Sequence, residues 1–198
     1  MALLAVCGVV LGLAACEVKS GAAAFVGDDK ITETDVAGYV STETTASPST
    51  DAQSLTPRAQ VVSTLVAIQV FRQYLAGKGG IPDDAALLAS RDAAFTLVTG
   101  QAFPEIGQFR TTLEGLGFDG RFADIYATQI ELEYEVIQRS KAASLADLAT
   151  AVSAETDKPR ISPRYGTWDA AQLALSGSSK TPDYLQLAGS SSTPVAGS

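Results

Sequence analysis

The chain of 198 residues has no histidine, two cysteines, one methionine and one tryptophan. Without histidine it lacks the side chain that most often acts as general base near neutral pH and most often ligates transition metals. A Ser–His or Cys–His nucleophile cannot be assembled, and neither G-x-S-x-G nor S-x-x-K occurs. Positive charge is also scarce. Fourteen Lys and Arg stand against 22 Asp and Glu, a net charge of −8. Nothing clusters the basic residues as a phosphate backbone demands, so no nucleic-acid partner is expected. Also missing is any apolar run of the roughly 18–20 residues that cross a bilayer as a helix. These absences favour binding over chemistry: no catalytic residue, no metal site and no cofactor is expected. What is present suffices for one folded domain. Hydrophobic residues make up 46% and charged residues 18%, too apolar for a disordered chain and enough for a core.

Residues 2–16 carry no charge and end Leu13-Ala14-Ala15-Cys16, after which Glu17 and Lys19 return the chain to polar sequence. This resembles the lipobox of bacterial lipoproteins, in which small residues before the cysteine admit the signal peptidase and the thiol takes a diacylglycerol. The alternative is a buried apolar helix or strand with an incidental cysteine. On the lipoprotein reading, residues 1–15 are a signal peptide, Cys16 is lipidated and 16–22 form a tether. The chain is then extracytoplasmic and held at the bacterial cell membrane by its acyl chains. Cys7 leaves with the signal peptide, so no disulfide can form within the mature chain.

Ala23–Val26 reads as a strand and Gly27–Lys30 as its turn. Thr32-Glu33-Thr34-Asp35 is a capping box, with Ile31 and Val36 at the staple positions, opening a short helix to about Val40. Residues 41–55 lack apolar periodicity and read as a mobile loop. Thr56-Pro57 starts the most strongly patterned helix, stopped by Gly77, Gly79 and Gly80. Further helices are expected from Asp83, from Pro104, from Asp119 as cap, and from Ser144 to about Ala154. Pro159 and Pro163 break helicity, so Arg160–Tyr165 should be extended. Residues 176–198, rich in Ser, Gly and Pro, read as a disordered tail. The folded part is thus 23–175: mainly α, a bundle-like lobe with one strand near each end. Two lone strands are poor structures singly and make sense only if they pair.

Several patterns look chemical. Gly115-Leu116-Gly117-Phe118-Asp119-Gly120 matches G-x-G-x-x-G, but helix rather than strand precedes it, so a dinucleotide site is not expected. Gly77-Lys78 is no P-loop, because Arg72 stands where its first glycine belongs, and no nucleotide is expected as a partner. Glu131, Glu133 and Glu135 read as a solvated acidic face. Phe103 and Phe109 flank Pro104 in a segment with a thin apolar pattern. They are candidate contact residues, with core filling as the alternative. Tyr165 and the lone Trp168 lie beside Arg160 and Arg164 and could form a binding cluster, or could pack a strand on the core.

Two segments together resemble the SurA/PrsA group of extracytoplasmic chaperones and foldases. Ala23 to Val36, with its strand, turn and I-T-x-x-D-V helix start, is similar to that group's opening. Ile161-Ser162-Pro163-Arg164-Tyr165-Gly166-Thr167-Trp168-Asp169 resembles the V-N-P-R-Y-G-x-W/F-D segment that closes SurA N-terminal-like lipoproteins, with Ser162 in place of the usual Asn. In the full foldases a parvulin-type isomerase domain is inserted before the closing strand, and residues 142–158 leave no room for one. The resemblance therefore implies the chaperone lobe alone, with unfolded or extended polypeptide as its clients; the candidate contact residues for them are those read above, Phe103, Phe109, Tyr165 and Trp168. The alternative from another class is an adaptor lipoprotein that holds one specific envelope protein.

Overall fold

Thr32 shows how directly short-range chemistry sets the structure. The computed structural model describes residues 21–41 and 55–176. In it the Thr32 Oγ1 accepts from the Asp35 amide at 3.1 Å, and the Asp35 carboxylate accepts from the Thr32 amide at 2.8 Å. This closed capping box starts helix α1 (Glu33–Ala37). The helix stops short of the expected Val40. Val40 instead bridges to Phe118, and the Tyr39 carbonyl accepts the Asp119 amide at 2.9 Å.

Before α1 lies a hairpin of β1 (Ala22–Val26) and β2 (Asp29–Thr32). The turn is shorter than expected, because Val26 pairs with Asp29 and leaves only Gly27-Asp28 between strands. Gly27 has φ 58, and a Cβ there would stand 2.6 Å from the Asp157 carboxylate and 2.9 Å from Gln73 Nε2. The positive φ favours glycine here, and a side chain would also have to displace the ends of those two. On its other side β1 pairs antiparallel with β3 (Arg160–Ile161), with Ala24 opposite Ile161 and Phe25 opposite Arg160. The Ser162 amide extends the ladder to the Ala23 carbonyl at 2.9 Å. The strands expected to close the chain on itself therefore do pair, in a sheet of order β2-β1-β3.

Five longer helices follow α1. Helix α2 (Pro57–Gly77) is capped by Thr56, whose Oγ1 accepts from the Ala59 amide. Its buried residues include Val62, Val66, Val70 and Phe71, and Tyr74 and Leu75 near its end. Asp83 caps α3 (Asp84–Thr99), which ends on Gly100 in the left-handed region at φ 71. Helices α4 (Ile106–Gly115) and α5 (Phe122–Ser140) come next, and Ser144 caps α6 (Leu145–Glu155). Asp119 does not cap α5 as expected. It organises the turn before it, taking the Arg121 amide and guanidinium on its carboxylate and the Phe122 amide on its carbonyl.

Helix α5 is the axis of the lobe and packs chiefly on α3 and α2, with α4 and α6 also against it. Its near-encirclement overturns the expected acidic face. Glu131 is buried, Glu135 pairs with Arg139 one turn on, and Glu133 is half-buried. The solvent-facing period that Glu131, Glu133 and Glu135 suggested does not exist on a helix with neighbours on several sides. Burial pushes the Glu133 carboxyl up to about 7 from the ordinary 4.5.

The closing segment departs from expectation after Ile161. Only Arg160–Ile161 is strand, and Pro163–Tyr165 forms a 3₁₀ turn, η1, as proline at its start allows. A second hairpin follows, β4 (Thr167–Asp169) with β5 (Ala174–Ser176), registered Trp168 opposite Leu175. Ser176, expected in the tail, belongs to β5. The hairpin buries Leu173 and Leu175, and the Ser63 hydroxyl on α2 accepts the Leu175 amide at 3.2 Å. The fold is mainly α, with small antiparallel pairings. Among the described residues no helix is long and apolar enough to cross a membrane. The expected signal peptide with Cys16, residues 42–54 of the expected mobile loop and residues 177–198 of the expected tail lie outside the described residues.

Two outcomes follow from this packing. A chain ending at Thr156 loses β3 and the buried Tyr165, Leu173 and Leu175. At about 1.5–3 kcal/mol for each buried side chain, that rivals the whole stability of an ordinary domain. Its cooperative melt should vanish or fall by tens of degrees, and an unchanged melting temperature would refute closure. For Glu133, the native state keeps a proton that the unfolded chain releases between pH 4.5 and about 7. The stability it contributes is therefore present at low pH and lost as pH rises through that window. Glu133→Gln should raise stability at pH 8 by about 1–3 kcal/mol, an upper figure of 1.36 kcal/mol per pH unit discounted for residual solvent contact. It should change little at pH 4.5. Denaturant titrations at the two pH values check this.

Candidate functional site

The aromatic residues of α3, α4 and α5 form one continuous array. Phe95, on the inner side of α3, is buried. Phe103 comes from the α3–α4 loop and meets it edge to face, with ring centroids 4.5 Å apart and planes at 65°. Phe109, one turn into α4, is 5.9 Å from Phe95 and 6.2 Å from Phe103. Beyond Phe109 the array continues to Tyr126 at 5.7 Å, then to Phe122 at 6.0 Å, and ends in Phe122 stacked on Phe118 at 4.3 Å. Edge-to-face and offset contacts align each ring's positive edge with a neighbour's negative face, which adds directional attraction to burial.

Phe103 and Phe109 sit at the solvent end of this array. Both are half-buried and pack against the core. Each ring therefore contributes to the core while the residue stays partly accessible. Helix α3 also exposes Leu88 and Leu97, and Leu116 just past α4 is 49% exposed.

A charged pair underlies Phe103. The Arg91 guanidinium lies 5.3 Å from the Phe103 ring centroid, and its Nε donates to Glu131 on α5. The Arg91 side chain is 24% exposed and that of Glu131 is 3%. A carboxylate so buried needs its partner, and the planar guanidinium can pair at its edge while stacking on its face. Neither residue was singled out from sequence. A signal existed: Arg91 shares the α3 stripe of Leu87, Ala94, Phe95 and Val98, and Glu131 shares the stripe of Ala123, Ala127 and Ile130. One charge of each sign on two inward stripes is the pattern of an internal ion pair.

Tyr165 and Trp168 stand elsewhere, on η1 and β4 above α2. Tyr165 is buried and its hydroxyl donates to Glu33 at 2.7 Å. Its phenol is pushed up, first by burial and then by that carboxylate. Glu33 also takes Arg164 at 2.9 Å and Arg58 at 3.4 Å. Arg164 in turn lies over the Tyr165 ring at 5.4 Å. Trp168 is half-buried against the core. These residues join α1, α2 and the closing segment, and Tyr165 is committed to that joint. The structure thus brings Phe103 and Phe109 together, and sets Tyr165 with Glu33 rather than with them.

Other features carry less chemistry. A shallow depression of about 580 Å³ between the ends of α2 and α6 is lined by Gln73, Ala76, Ala154, Glu155, Thr156 and Asp157. Gln73 there already donates to the Val26 carbonyl and accepts the Asp157 amide, tying the β1–β2 turn to both helices. Gly115 ends α4, and Gly117 and Gly120 lie in the connection to α5, with helix on both sides. Among the described residues no three His, Cys, Asp or Glu converge as metal ligands. The array offers ring faces, ring edges and a guanidinium plane, a surface for apolar and aromatic groups. No family model, curated protein or solved structure matches this chain.

Proposed function

We propose that this protein is a membrane-anchored, extracytoplasmic lipoprotein of the SurA/PrsA kind, without an isomerase domain. On this reading it binds unfolded or newly exported polypeptide as a chaperone-like lobe. The observation that carries the binding role is the aromatic array running from the core to solvent at Phe103 and Phe109. Half-buried rings held by a rigid core offer apolar area with little conformational freedom left to lose. The β1–β3 pairing and the Glu33–Arg164–Tyr165 joint also support the kinship, because they unite the two segments that carry the resemblance. Cys16 supplies the membrane attachment through its lipid.

The anchor is tested by mass spectrometry of the membrane fraction. The mature amino-terminal peptide should begin at Cys16 with lipid attached, and Cys16→Ser should release or mislocalise the protein. A soluble, unmodified product starting elsewhere would overturn the lipoprotein assignment.

The binding role is tested with an aggregating model client. The purified full chain should slow aggregation without ATP and should show no prolyl isomerase activity. The variant Phe109→Leu keeps most apolar contact, at a cost of about 1 kcal/mol. It should melt cooperatively yet lose client protection several-fold. Full protection by the folded variant would reject this surface. Tight binding of one envelope protein with no protection of unrelated clients would establish the adaptor role instead.

A further inference from the structure

The α3–α4 loop, residues 100–105, is held down largely by one ring. Phe103 is enclosed by Phe95 at 4.5 Å, Phe109 at 6.2 Å and the Arg91 guanidinium at 5.3 Å. Elsewhere the loop is tied only at its start, where the Gln101 amide donates to the Thr99 hydroxyl at 3.2 Å. Gln101, Ala102 and Glu105 are exposed, and α4 beyond it packs chiefly on α5 and fully buries only Leu113. Gly100, at φ 71, provides a pivot where the loop leaves α3.

The parts of this socket differ in how easily they can leave it. Withdrawing Arg91 would strand the Glu131 carboxylate in the interior without a counter-charge. Phe95 is fixed in the body of α3. Releasing Phe103 leaves that ion pair in place and uncovers only rings, its own being already partly accessible. The ring is therefore the exchangeable member, and Arg91, Phe95 and Phe109 are the standing walls.

We propose that Phe103 is an internal occupant of a socket made by Arg91, Phe95 and Phe109, so that the α3–α4 loop competes with a bound polypeptide for the aromatic surface. This rests on the polypeptide-binding role above and concerns its regulation. The loop acts as an autoinhibitory strap. Arg91 contacts whichever group fills the socket, and Glu131 is a positioning residue that acts through Arg91. In the absence of polypeptide the strap covers apolar surface that would otherwise promote self-association. When an extended segment arrives, its apolar side chain replaces Phe103 and the strap lifts.

The test measures binding of a fluorescent extended peptide bearing one phenylalanine, and of the same peptide with serine there, to the full chain. Wild type should prefer the phenylalanine peptide. Phe103→Ala should bind it about tenfold more tightly, since no internal ring competes. Arg91→Lys keeps the charge that Glu131 needs but loses the flat stacking plane, so the strap loosens without a cavity being cut. Amide exchange at residues 100–105 should therefore quicken in Arg91→Lys without peptide, while its peptide affinity does not rise, because the same plane serves the peptide's ring. Amide exchange at residues 100–105 of wild type should quicken when the peptide binds. The strap is overturned if folded Phe103→Ala binds the peptide no better than wild type, if exchange at 100–105 is no faster in Arg91→Lys than in wild type, or if exchange there slows on peptide binding. A gain in Phe103→Ala alone, with wild type indifferent to the phenylalanine, would show an artificial cavity and also overturns it. If none of the three proteins binds the peptide, the polypeptide-binding role falls and the strap with it.

Discussion

Strand β1 needs partners on both edges, and one of them comes from the far end of the chain. Four of its five residues, Ala22, Ala23, Ala24 and Val26, are almost fully inaccessible. A strand this enclosed has no water to satisfy its amides and carbonyls, so β2 must take one edge and β3 the other. The small side chains matter as much as the ladder, because they let α2 approach the sheet closely. The Glu33 cluster secures the same junction from the side. One carboxylate gathers two guanidiniums and a phenol from α2 and the closing segment. The helices are then confined between two ends of the chain that hold each other.

How far the sequence disclosed this depends on the range of the interaction. Caps at Thr32, Thr56 and Ser144 were legible because a side chain bonds a backbone group three residues away. The pairing of β1 with β3 was legible by elimination, since the sequence advertised no local partner for either strand. Hairpins β1–β2 and β4–β5 were not. Their strands are three to five residues long, and the second turn contains Leu173 at φ 49 rather than a glycine. Nothing in Ala170–Leu173 advertises a turn of that shape.

The site divides in the same way. Phe103 and Phe109 stood out because Pro104 isolates them in a sparsely apolar segment. Arg91 and Glu131 were hidden, because a charged residue in a helix is ordinarily solvated and only the packing of α3 on α5 makes these two an internal pair. Tyr165 was noticed for its aromaticity and neighbouring arginines, yet its hydroxyl serves the Glu33 junction. The three glutamates of α5 show the limit most plainly. Spacing says which of them share a side, but only the surrounding helices say whether that side meets water.

The joint between Glu33 and Tyr165 spans 132 residues of chain, and this has a consequence in time. A polypeptide made or exported from its amino terminus presents β1 first and β3 nearly last. Until Arg160 emerges, one edge of β1 has no lawful partner, and loop closure over so long a span is among the slower steps in folding. The hairpin with β2 can form at once and cover one edge, while the other stays open to foreign strands. The alanines that allow dense packing in the finished lobe also make this open edge a modest temptation, since they offer a stray strand little apolar surface to grip. The composition of β1 thus suits both the finished molecule and the interval before it is finished.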